Sequence, residues 1–478
     1  MTWIVSKLSR VIWRRKGGCF RLVERVIQGF AAQSAIRGAT EGREELEARY
    51  LPYFDERLRL RQLVTYVPNK VAPIHRWFPY KEGFSYQLVE MLLREFGTDP
   101  AHHRIFDPFA GCGTTPLVAR QMGFGAWGID ILPVAVFVAQ VKLRGLEAYN
   151  LAHLRSEIDR LLNMPFHPSS LSAPQDVRIV QLAYEPETLE HILFFKEEIR
   201  RIDNKAIREF LLLGLTSILE DVSYTSKDGQ YLRLRRDKKI PAVRDVLHSQ
   251  LEMMYSDLAS KQVQLSLPGL VETSSGGHSD GRCYVAQADA RSFVDSFDDY
   301  ADVIITSPPY LNRYDYSRIY SLELCLQFVN EFEELKRVRH SLLRSHIESR
   351  ESPTDDVHHP ALLEILDNLA GQDLNNPRIP VMIKGYFEDM NLVLRQLACV
   401  CRPGARVALV VANARFHGEL IPVDLLLSEL AVDAGFEVQR IIVTRYKGNS
   451  SQQMGRFGRV AVRESIVVWR KASAAHLS

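Results

Sequence analysis

The hydrophobic and polar positions of this chain follow different patterns along its length. Between Arg104 and Arg144, apolar runs of strand length alternate with amphipathic runs of helix length. The predicted elements, strand and helix in turn, are Arg104–Asp107, Thr114–Met122, Ala126–Asp130 and Pro133–Arg144. Two strands joined by one short helix form a right-handed βαβ unit, so this region predicts a parallel sheet.

The same alternation returns in the second half of the chain. Further strands are predicted over Cys283–Asp289, Asp302–Thr306, Arg406–Asn413, Glu437–Tyr446 and Glu464–Arg470. A helix over Pro422–Asp433 precedes the last two strands, and no helix separates these two. We therefore expect them to pair as an antiparallel hairpin at one edge of the sheet.

The other segments have mostly helical periodicity, as over Leu151–Leu162 and Glu187–Leu219. We expect an α/β fold in which two helical insertions interrupt one sheet domain. The predicted division is an N-terminal helical extension over 1–70, a sheet domain made of 71–145, 283–312 and 386–478, and helical insertions over 146–282 and 313–385.

Composition and charge narrow the class of protein only slightly. Of the 478 residues, 46% are hydrophobic and 25% are charged, as in ordinary globular proteins. The 60 basic and 58 acidic residues leave a formal net charge of +2, so overall charge gives no argument for a nucleic-acid partner. Any such argument must come from local clusters.

No segment has the composition of a membrane span or a secretory signal. The strongest apolar run, Leu211–Leu219, is too short and lies between Glu209 and Glu220. The basic N-terminal residues lack the apolar stretch of a signal peptide, so we expect a cytoplasmic protein. The 6 cysteines and 14 histidines show no metal-ligand spacing, so we predict reduced cysteines and no metal.

A glycine-rich loop, Asp107–Thr115, joins the first predicted strand to the first helix. Its glycines allow a sharp turn and a close approach of the backbone to a ligand. Asp130 ends the second strand, where a carboxylate can bind both ribose hydroxyls of an adenosine or can cap the next helix. Asp289 follows the third strand, where it could bind the adenine amino group or simply stabilise a turn. These features fit a nicotinamide dinucleotide and S-adenosylmethionine equally well.

The segment Ser307-Pro308-Pro309-Tyr310 follows the apolar strand Val303–Ile305 and so faces the same edge of the sheet. An exocyclic amine of a nucleobase is a poor nucleophile and needs acceptors for both of its N–H groups. The Ser307 hydroxyl and the Pro308 carbonyl could supply them, and the consecutive prolines hold that carbonyl rigidly. The Tyr310 ring offers a face on which an extruded base can stack. The alternative is an ordinary strand followed by a proline turn.

With these motifs, the chain resembles the amino-methylating DNA methyltransferases. Phe109, Gly111 and Gly113 match the F-x-G-x-G pattern of the family's cofactor loop, and Asp130 matches its ribose-binding acid. Ser307–Tyr310 is similar to its S/D/N-P-P-Y/F/W catalytic motif. The resemblance covers about 75–145 and 283–470 and departs from the family in the two insertions.

The resemblance implies a class I S-adenosylmethionine-dependent methyltransferase fold, a Rossmann-like sheet with a terminal antiparallel hairpin. His75–Ser85 is similar to the segment that closes over the methionine end of the cofactor in this family. The expected catalytic residues are Ser307, Pro308, Pro309 and Tyr310. The residues expected to bind S-adenosylmethionine are Phe84, Asp107, Phe109, Gly111, Gly113, Thr114, Asp130, Ile131 and Asp289.

The resemblance favours cytosine N4 as the methylated atom, because serine at the first catalytic position is typical of those enzymes. The expected substrate is DNA, and a restriction endonuclease could be a partner. Adenine N6 and, less favoured, guanine N2 of RNA are the alternatives, followed by a dehydrogenase and a non-enzymatic DNA-binding module. The oligomeric state does not follow from the sequence.

Two basic clusters are candidates for DNA contacts, Ser226–Lys239 and Arg445–Arg459. Their arginine, asparagine and glutamine residues suit phosphates and base edges, although such runs are often solvated surface. We favour the second cluster because the predicted hairpin would hold it near the catalytic edge. Residues 312–316 directly after the catalytic motif could also line the base pocket, and Tyr316 could equally belong to the core.

Overall fold

The computed structural model describes residues 40–147, 149–228, 231–266, 282–348, 357–447 and 460–473. The strands in chain order are β1 (Phe54–Glu56), β2 (Arg104–Asp107), β3 (Gly125–Asp130), β4 (Thr225–Asp228), β5 (Tyr231–Leu234), β6 (Cys283–Gln287), β7 (Ala301–Thr306), β8 (Cys401–Ala412), β9 (Ala414–Phe416), β10 (Glu419–Ile421), β11 (Phe436–Lys447) and β12 (Val462–Lys471).

Eight of these strands form one sheet in the order β1-β11-β12-β8-β7-β2-β3-β6. β12 runs antiparallel to both of its neighbours, and the other neighbouring pairs are parallel. The predicted parallel sheet with a terminal hairpin is confirmed, and this is the class I S-adenosylmethionine-dependent methyltransferase fold.

The hairpin does not lie at the outermost edge, so that part of the prediction is wrong. β1 adds to the free side of β11 in parallel, with Phe54 opposite Ile441. The segment 1–70, predicted to be helical, therefore supplies a strand within its described part. Three residues carry too little periodicity to predict a strand, and this one forms because β11 offers unpaired backbone groups.

The helices in chain order are α1 (Glu41–Tyr50), α2 (Tyr86–Glu95), α3 (Thr114–Gln121), α4 (Pro133–Arg144), α5 (Leu151–Asn163), α6 (Arg178–Ala183), α7 (Pro186–Arg200), α8 (Lys205–Ser217), α9 (Val243–Ser266), α10 (Tyr316–Ile319), α11 (Ser321–Gln327), α12 (Phe332–Ser341), α13 (Pro360–Ala370), α14 (Ile379–Val400) and α15 (Val423–Asp433). Short 3₁₀ turns cover Leu51–Tyr53, Leu58–Gln62, Val67–Lys70, His75–Trp77 and Val294–Ser296.

Helices cover both faces of the sheet. α2 and α3 pack on the face that carries Ile105 and Ile305, whereas α14 and α15 pack on the face that carries Phe106 and Ile304. Because both faces are buried, β7 is a continuous apolar run rather than an alternating one. The sheet is thus held rigidly between two layers, with its carboxyl edge left for a ligand.

Some elements differ from the sequence prediction. α14 begins at Ile379 and packs against the sheet, so the predicted boundary between 385 and 386 falls inside one helix. The small hairpins β4–β5 and β9–β10 were not predicted. β4 contains no apolar residue, and β9 and β10 have three residues each, too few for a clear alternation. The division of the chain into domains otherwise stays a prediction. In the described ranges, no helix combines the length and apolarity needed to cross a bilayer.

Candidate active site

A cleft lies at the carboxyl ends of β2, β3, β6 and β7. Most of the residues predicted to form the site line this cleft: Phe84, Asp107, Phe109, Gly111, Thr114, Asp130, Ile131, Asp289, Ser307 and Pro309. Gly113, Pro308 and Tyr310 are adjacent in sequence but do not line it. The two motifs, nearly 200 residues apart, therefore share one cavity. In the described residues, no group of three or more His, Cys, Asp or Glu is arranged to hold a metal.

The glycine loop needs its glycines for two different reasons. Gly111 and Gly113 have φ values of 50° and 83°, which side chains rarely adopt. A Cβ on Gly113 would also lie 2.8 Å from the Ala139 Cβ on α4. Gly113 thus allows α3 and α4 to pack closely, while Gly111 forms part of the cleft wall.

Asp130 holds the turn from the end of β3. One carboxylate oxygen accepts a hydrogen bond from the Gly111 N–H at 2.8 Å, and the other accepts one from the Leu132 N–H at 2.9 Å. Burial raises the pKa of Asp130 to about 6, although these backbone donors act in the opposite direction. Of the two predicted roles, Asp130 has the position for ligand binding, because it lines the cleft. It does not cap α4, since the N-cap of that helix is Leu132 and no side chain bonds there.

Asp107 joins the glycine loop to the strand that carries the second motif. Its carboxylate accepts hydrogen bonds from the Thr306 hydroxyl at 2.6 Å and from the Phe109 N–H at 3.0 Å. Asp107 is 2% exposed, and burial raises its pKa to about 7. Thr306 directly precedes Ser307, so this contact fixes the distance between the two motifs.

The Ser307 hydroxyl acts as a hydrogen-bond donor within the protein. It donates a hydrogen bond of 3.1 Å to the Val410 carbonyl of β8, the neighbouring strand. A hydroxyl oxygen that donates in one direction keeps its lone pairs for another donor. Ser307 also lines the cleft, so its remaining lone pairs face the space where a ligand would bind.

Tyr310 is half-buried and is held from outside the cleft. Its hydroxyl donates to Glu464 Oε1 at 3.0 Å, and Lys447 Nζ lies 5.5 Å from its ring centre. Glu464 is 1% exposed and also forms ion pairs with Arg445 and Lys447. No periodicity could indicate that Glu464, on the last strand, contacts the catalytic motif.

Asp289 adopts the turn role that the sequence left open. Its carboxylate accepts hydrogen bonds from the Arg291 N–H at 2.9 Å and from Arg291 Nη2 at 2.7 Å. Arg291 also bonds the Ser341 carbonyl and Asp389. Asp289 lines the cleft, so binding of an adenine amino group would use lone pairs that Arg291 leaves free.

The segment before α2 forms one wall of the cleft, as the resemblance implies for His75–Ser85. Tyr80 and Phe84 line it, and the Tyr80 ring stacks on Tyr320 with centroids 4.9 Å apart. Glu82 also lines it, with a φ of 67° and a pKa raised by burial.

Sequence reasoning missed Asn69, which lies in the supposed N-terminal extension. Its amide group bonds the Phe84 carbonyl and the Tyr86 N–H, at 3.0 and 2.9 Å. A buried asparagine has no sequence pattern of its own, so only the fold reveals this role. Tyr316, left open between pocket and core, lines the cleft.

Several cations of the first basic cluster bond other groups of the fold. Lys227 is buried and pairs with Glu323, Lys238 donates to the Glu220 carbonyl at 2.6 Å, and Arg235 pairs with Asp237. Of the second cluster, 448–459 lie outside the described residues, and Arg445 and Lys447 pair with Glu464.

The chain is similar in sequence to type II methyltransferases over most of its length. It is 34% identical over 478 aligned residues to M.BsoBI of Geobacillus stearothermophilus, covering 90% of this chain and 92% of that one. It is 34% identical over 449 residues to M.AvaI of Nostoc sp., covering 87% and 92%. No protein-family model matches. The solved structure of TrmN from Thermus thermophilus aligns with a TM-score of 0.26 at 12% identity over 81% of this chain and 48% of that one, which is too low to support an argument.

Proposed function

The chain belongs to the type II DNA methyltransferases, and from this premise we propose that it methylates N4 of cytosine at a specific DNA sequence. S-adenosylmethionine is the methyl donor. The observation that carries the proposal is the Ser307 hydroxyl, which donates a hydrogen bond to the Val410 carbonyl and has lone pairs left for the N–H group of a substrate amine. Serine rather than aspartate at this position supports cytosine over adenine.

The cleft has the features that the cofactor requires. Its wall combines apolar side chains with a few carboxylates, as a site for an adenosine with a methionine arm requires. Asp130 would accept the ribose hydroxyls, and Gly111, which has no side chain, would allow the ligand to pass close to the backbone. Phe84 and the rest of the wall before α2 would cover the methionine end. Bound there, the cofactor supplies a methyl group activated on a sulfonium.

The protein's own residues then orient the base. We assign the two N–H groups of the cytosine amine to Ser307 Oγ and the Pro308 carbonyl, which direct the nitrogen lone pair toward the methyl group. Tyr310, held by Glu464, stacks against the extruded ring. No strong base is needed before transfer, because the alkylated amine becomes acidic and loses its proton afterwards.

The type II designation of the relatives supports a place in a restriction-modification system. In that role the enzyme would protect the sequence that a partner endonuclease cleaves. Arg291 already occupies part of the Asp289 carboxylate, so an adenine amino group would bond only the lone pairs that Arg291 leaves free.

The test is the identity of the methylated base. The full chain is incubated with genomic DNA that lacks methylation and with isotopically labelled S-adenosylmethionine, and the DNA is digested to nucleosides for mass spectrometry. We expect labelled N4-methylcytosine with wild type and none with Ser307→Ala. Labelled N6-methyladenine would contradict the base assignment, and label found only in an RNA control would contradict the DNA assignment.

A further inference from the structure

A basic and apolar surface lies beside the cleft, in a segment that carries none of the motifs described above. It comprises the exposed side chains of Arg59, Arg61, Val67, Lys70 and Val71, here called the rim surface. Val67 and Val71 are 57% and 75% exposed, the highest values among the large hydrophobic residues of the described ranges. The rim surface thus combines apolar side chains with cations within one short segment.

The topology puts this surface at the catalytic edge of the sheet. β1 runs parallel to β11, so the chain leaves β1 at the same edge where the parallel strands end. The Arg57 N–H bonds the Val443 carbonyl, and the Leu63 carbonyl accepts from the Ser85 N–H, next to Phe84 of the cleft. The segment 58–71 therefore follows the rim from β11 to the cleft wall.

Asn69 anchors the segment that carries the rim surface to the wall of the cleft. Asn69, between the two valines, is 7% exposed and lines the cleft, and its amide group bonds the Phe84 carbonyl. Lys70 lines a neighbouring cavity that shares Asn69 and Tyr80 with the cleft. An anchored turn of this kind presents its outward side chains at a fixed distance from the reacting motif.

Among the described residues, nothing neutralises the charges of the rim surface. In the part of the chain that the structure describes, no carboxylate pairs with Arg59, Arg61 or Lys70. Lys70 instead lies 5.0 Å from the Tyr66 ring centre. The basic cluster around Lys227 and Lys238 differs, because its cations bond groups of the protein itself.

We propose that the rim surface binds the DNA duplex next to the target base. Its three cations contact backbone phosphates, and its two valines enter the space that the target base leaves when it is extruded. Phosphate contacts of this kind fix orientation without reading sequence, and apolar wedges offset the cost of unstacking a base. The inference rests on the proposed function, since extrusion is needed only if a base amine reacts in the cleft.

The first test measures the salt dependence of binding to a duplex that the wild-type enzyme methylates. Each phosphate contact contributes about 0.9 to the slope of log K against log salt, so Arg59→Ala/Arg61→Ala should reduce the slope by about 1.8. The matched control is Arg406→Ala/Arg470→Ala, two exposed arginines paired across β8 and β12 toward the amino ends of the parallel strands. The control should keep the wild-type slope. An unchanged slope in Arg59→Ala/Arg61→Ala would overturn the phosphate contacts.

The second test concerns the valines. Val67→Ala/Val71→Ala should methylate a fully paired duplex about tenfold more slowly, because extrusion of the base costs a few kcal/mol. The same variant should approach the wild-type rate on a duplex whose target base is mismatched, since that base is already unpaired. Equal slowing on both duplexes, or no slowing, would refute the wedge.

The experiments distinguish an error in the rim-surface proposal from an error in the proposed function. If the wild-type chain transfers no label to DNA, the proposed function is wrong. If the wild type methylates DNA and the rim variants match it in salt slope and in both rates, only the rim surface is wrong. Cofactor affinity and thermal stability, measured on every variant, should equal the wild-type values because all five side chains are exposed.

Discussion

The hydroxyl of Tyr310 donates a hydrogen bond of 3.0 Å to Glu464, a residue 154 positions later in the chain. Glu464 is buried on β12, where Arg445 and Lys447 of the paired strand β11 compensate its charge. The hairpin that closes the sheet thus orients a side chain of the catalytic motif. Glu464 does not line the cleft, so we regard it as a positioning residue.

Tyr310→Phe and Glu464→Gln should therefore affect the same step. Each should lower kcat about tenfold while cofactor affinity stays near wild type, because each loosens the ring without removing it. The double variant should be little worse than either single variant, which a double-mutant cycle on kcat would measure. Tyr184→Phe, which removes a buried hydroxyl that donates to Leu219, is the matched control and should leave kcat unchanged. Additive losses would show that the two residues act separately.

Cofactor binding should weaken in acid because of Asp130. Its pKa is raised to about 6 by burial, so it loses its charge as pH falls through that value. A protonated carboxyl is a poorer acceptor for ribose hydroxyls. Calorimetric titration of wild type with S-adenosylmethionine should give weaker affinity at pH 5 than at pH 8. Asp130→Asn should bind weakly at both pH values, and an equally large pH effect in this variant would exclude Asp130 as its source.

Asp107 should make the folded protein less stable as pH rises. Burial raises its pKa from 3.8 to about 7, so between these values the native state binds more protons than the unfolded state. The free energy of unfolding therefore falls across this range, by up to about 1.4 kcal/mol for each pH unit of increase. Asp107→Asn keeps an acceptor for Thr306 and cannot ionise. Thermal unfolding from pH 4 to 8 should show a flatter pH dependence in the variant; identical profiles would contradict the assignment.

Gly113→Ala should destabilise the glycine loop through two effects. The φ of 83° is unfavourable for alanine, and the new Cβ would lie 2.8 Å from Ala139. We expect a loss of roughly 2–4 kcal/mol in the free energy of unfolding, with weaker cofactor binding. Gly97→Ala is the matched control, because Gly97 has a φ of 60° but no atom within 4 Å of the added Cβ. Urea unfolding should show the smaller loss for Gly97→Ala; equal losses would mean that the contact with Ala139 relaxes.

Arg463→Met should remove a buried link between α1 and the sheet. The Arg463 guanidinium bonds Glu47 of α1 and Asp424 of α15, and all three side chains are buried. Loss of the cation leaves two buried carboxylates uncompensated, which costs about 3–5 kcal/mol. The control is Arg49→Met, which removes an ion pair with Glu429. Because Arg49 is 55% exposed, this change should lower the free energy of unfolding by less than about 1 kcal/mol. Urea unfolding gives the free energy of unfolding of both variants. Similar losses in the two would contradict a stabilising role for the buried network.

Much of the fold followed from local pattern. The strands β2, β3 and β7 and the helix α4 lie within about two residues of their predicted bounds, because buried parallel strands are continuous apolar runs and Pro133 marks a helix start. The hairpin β11–β12 was predictable because no helix separates its strands. β1 was missed because three residues have no measurable period, and the hairpin β4–β5 was missed because β4 contains no apolar residue.

The candidate site was predictable where a residue's chemistry shows in its neighbours along the chain. The glycine loop, Asp130 and Ser307 belong to contiguous motifs, and they line one cleft. Asn69 and Glu464 have ordinary sequence surroundings, and the cations of Ser226–Lys239 looked free in sequence but mostly bond groups within the fold. The partners of a side chain depend on which distant segments the sheet brings together.

The sequence by itself determined the fold class, the two motifs and the edge of the sheet where they meet, because strand periodicity and turn chemistry are local properties of the chain. The tertiary structure decided that the Ser307 hydroxyl donates to the Val410 carbonyl, that Tyr310 is held by Glu464, and that Lys227 of the first basic cluster pairs with Glu323. Each of these depends on hydrogen bonds and ion pairs between residues far apart in sequence, and such contacts exist only once the strands are placed side by side.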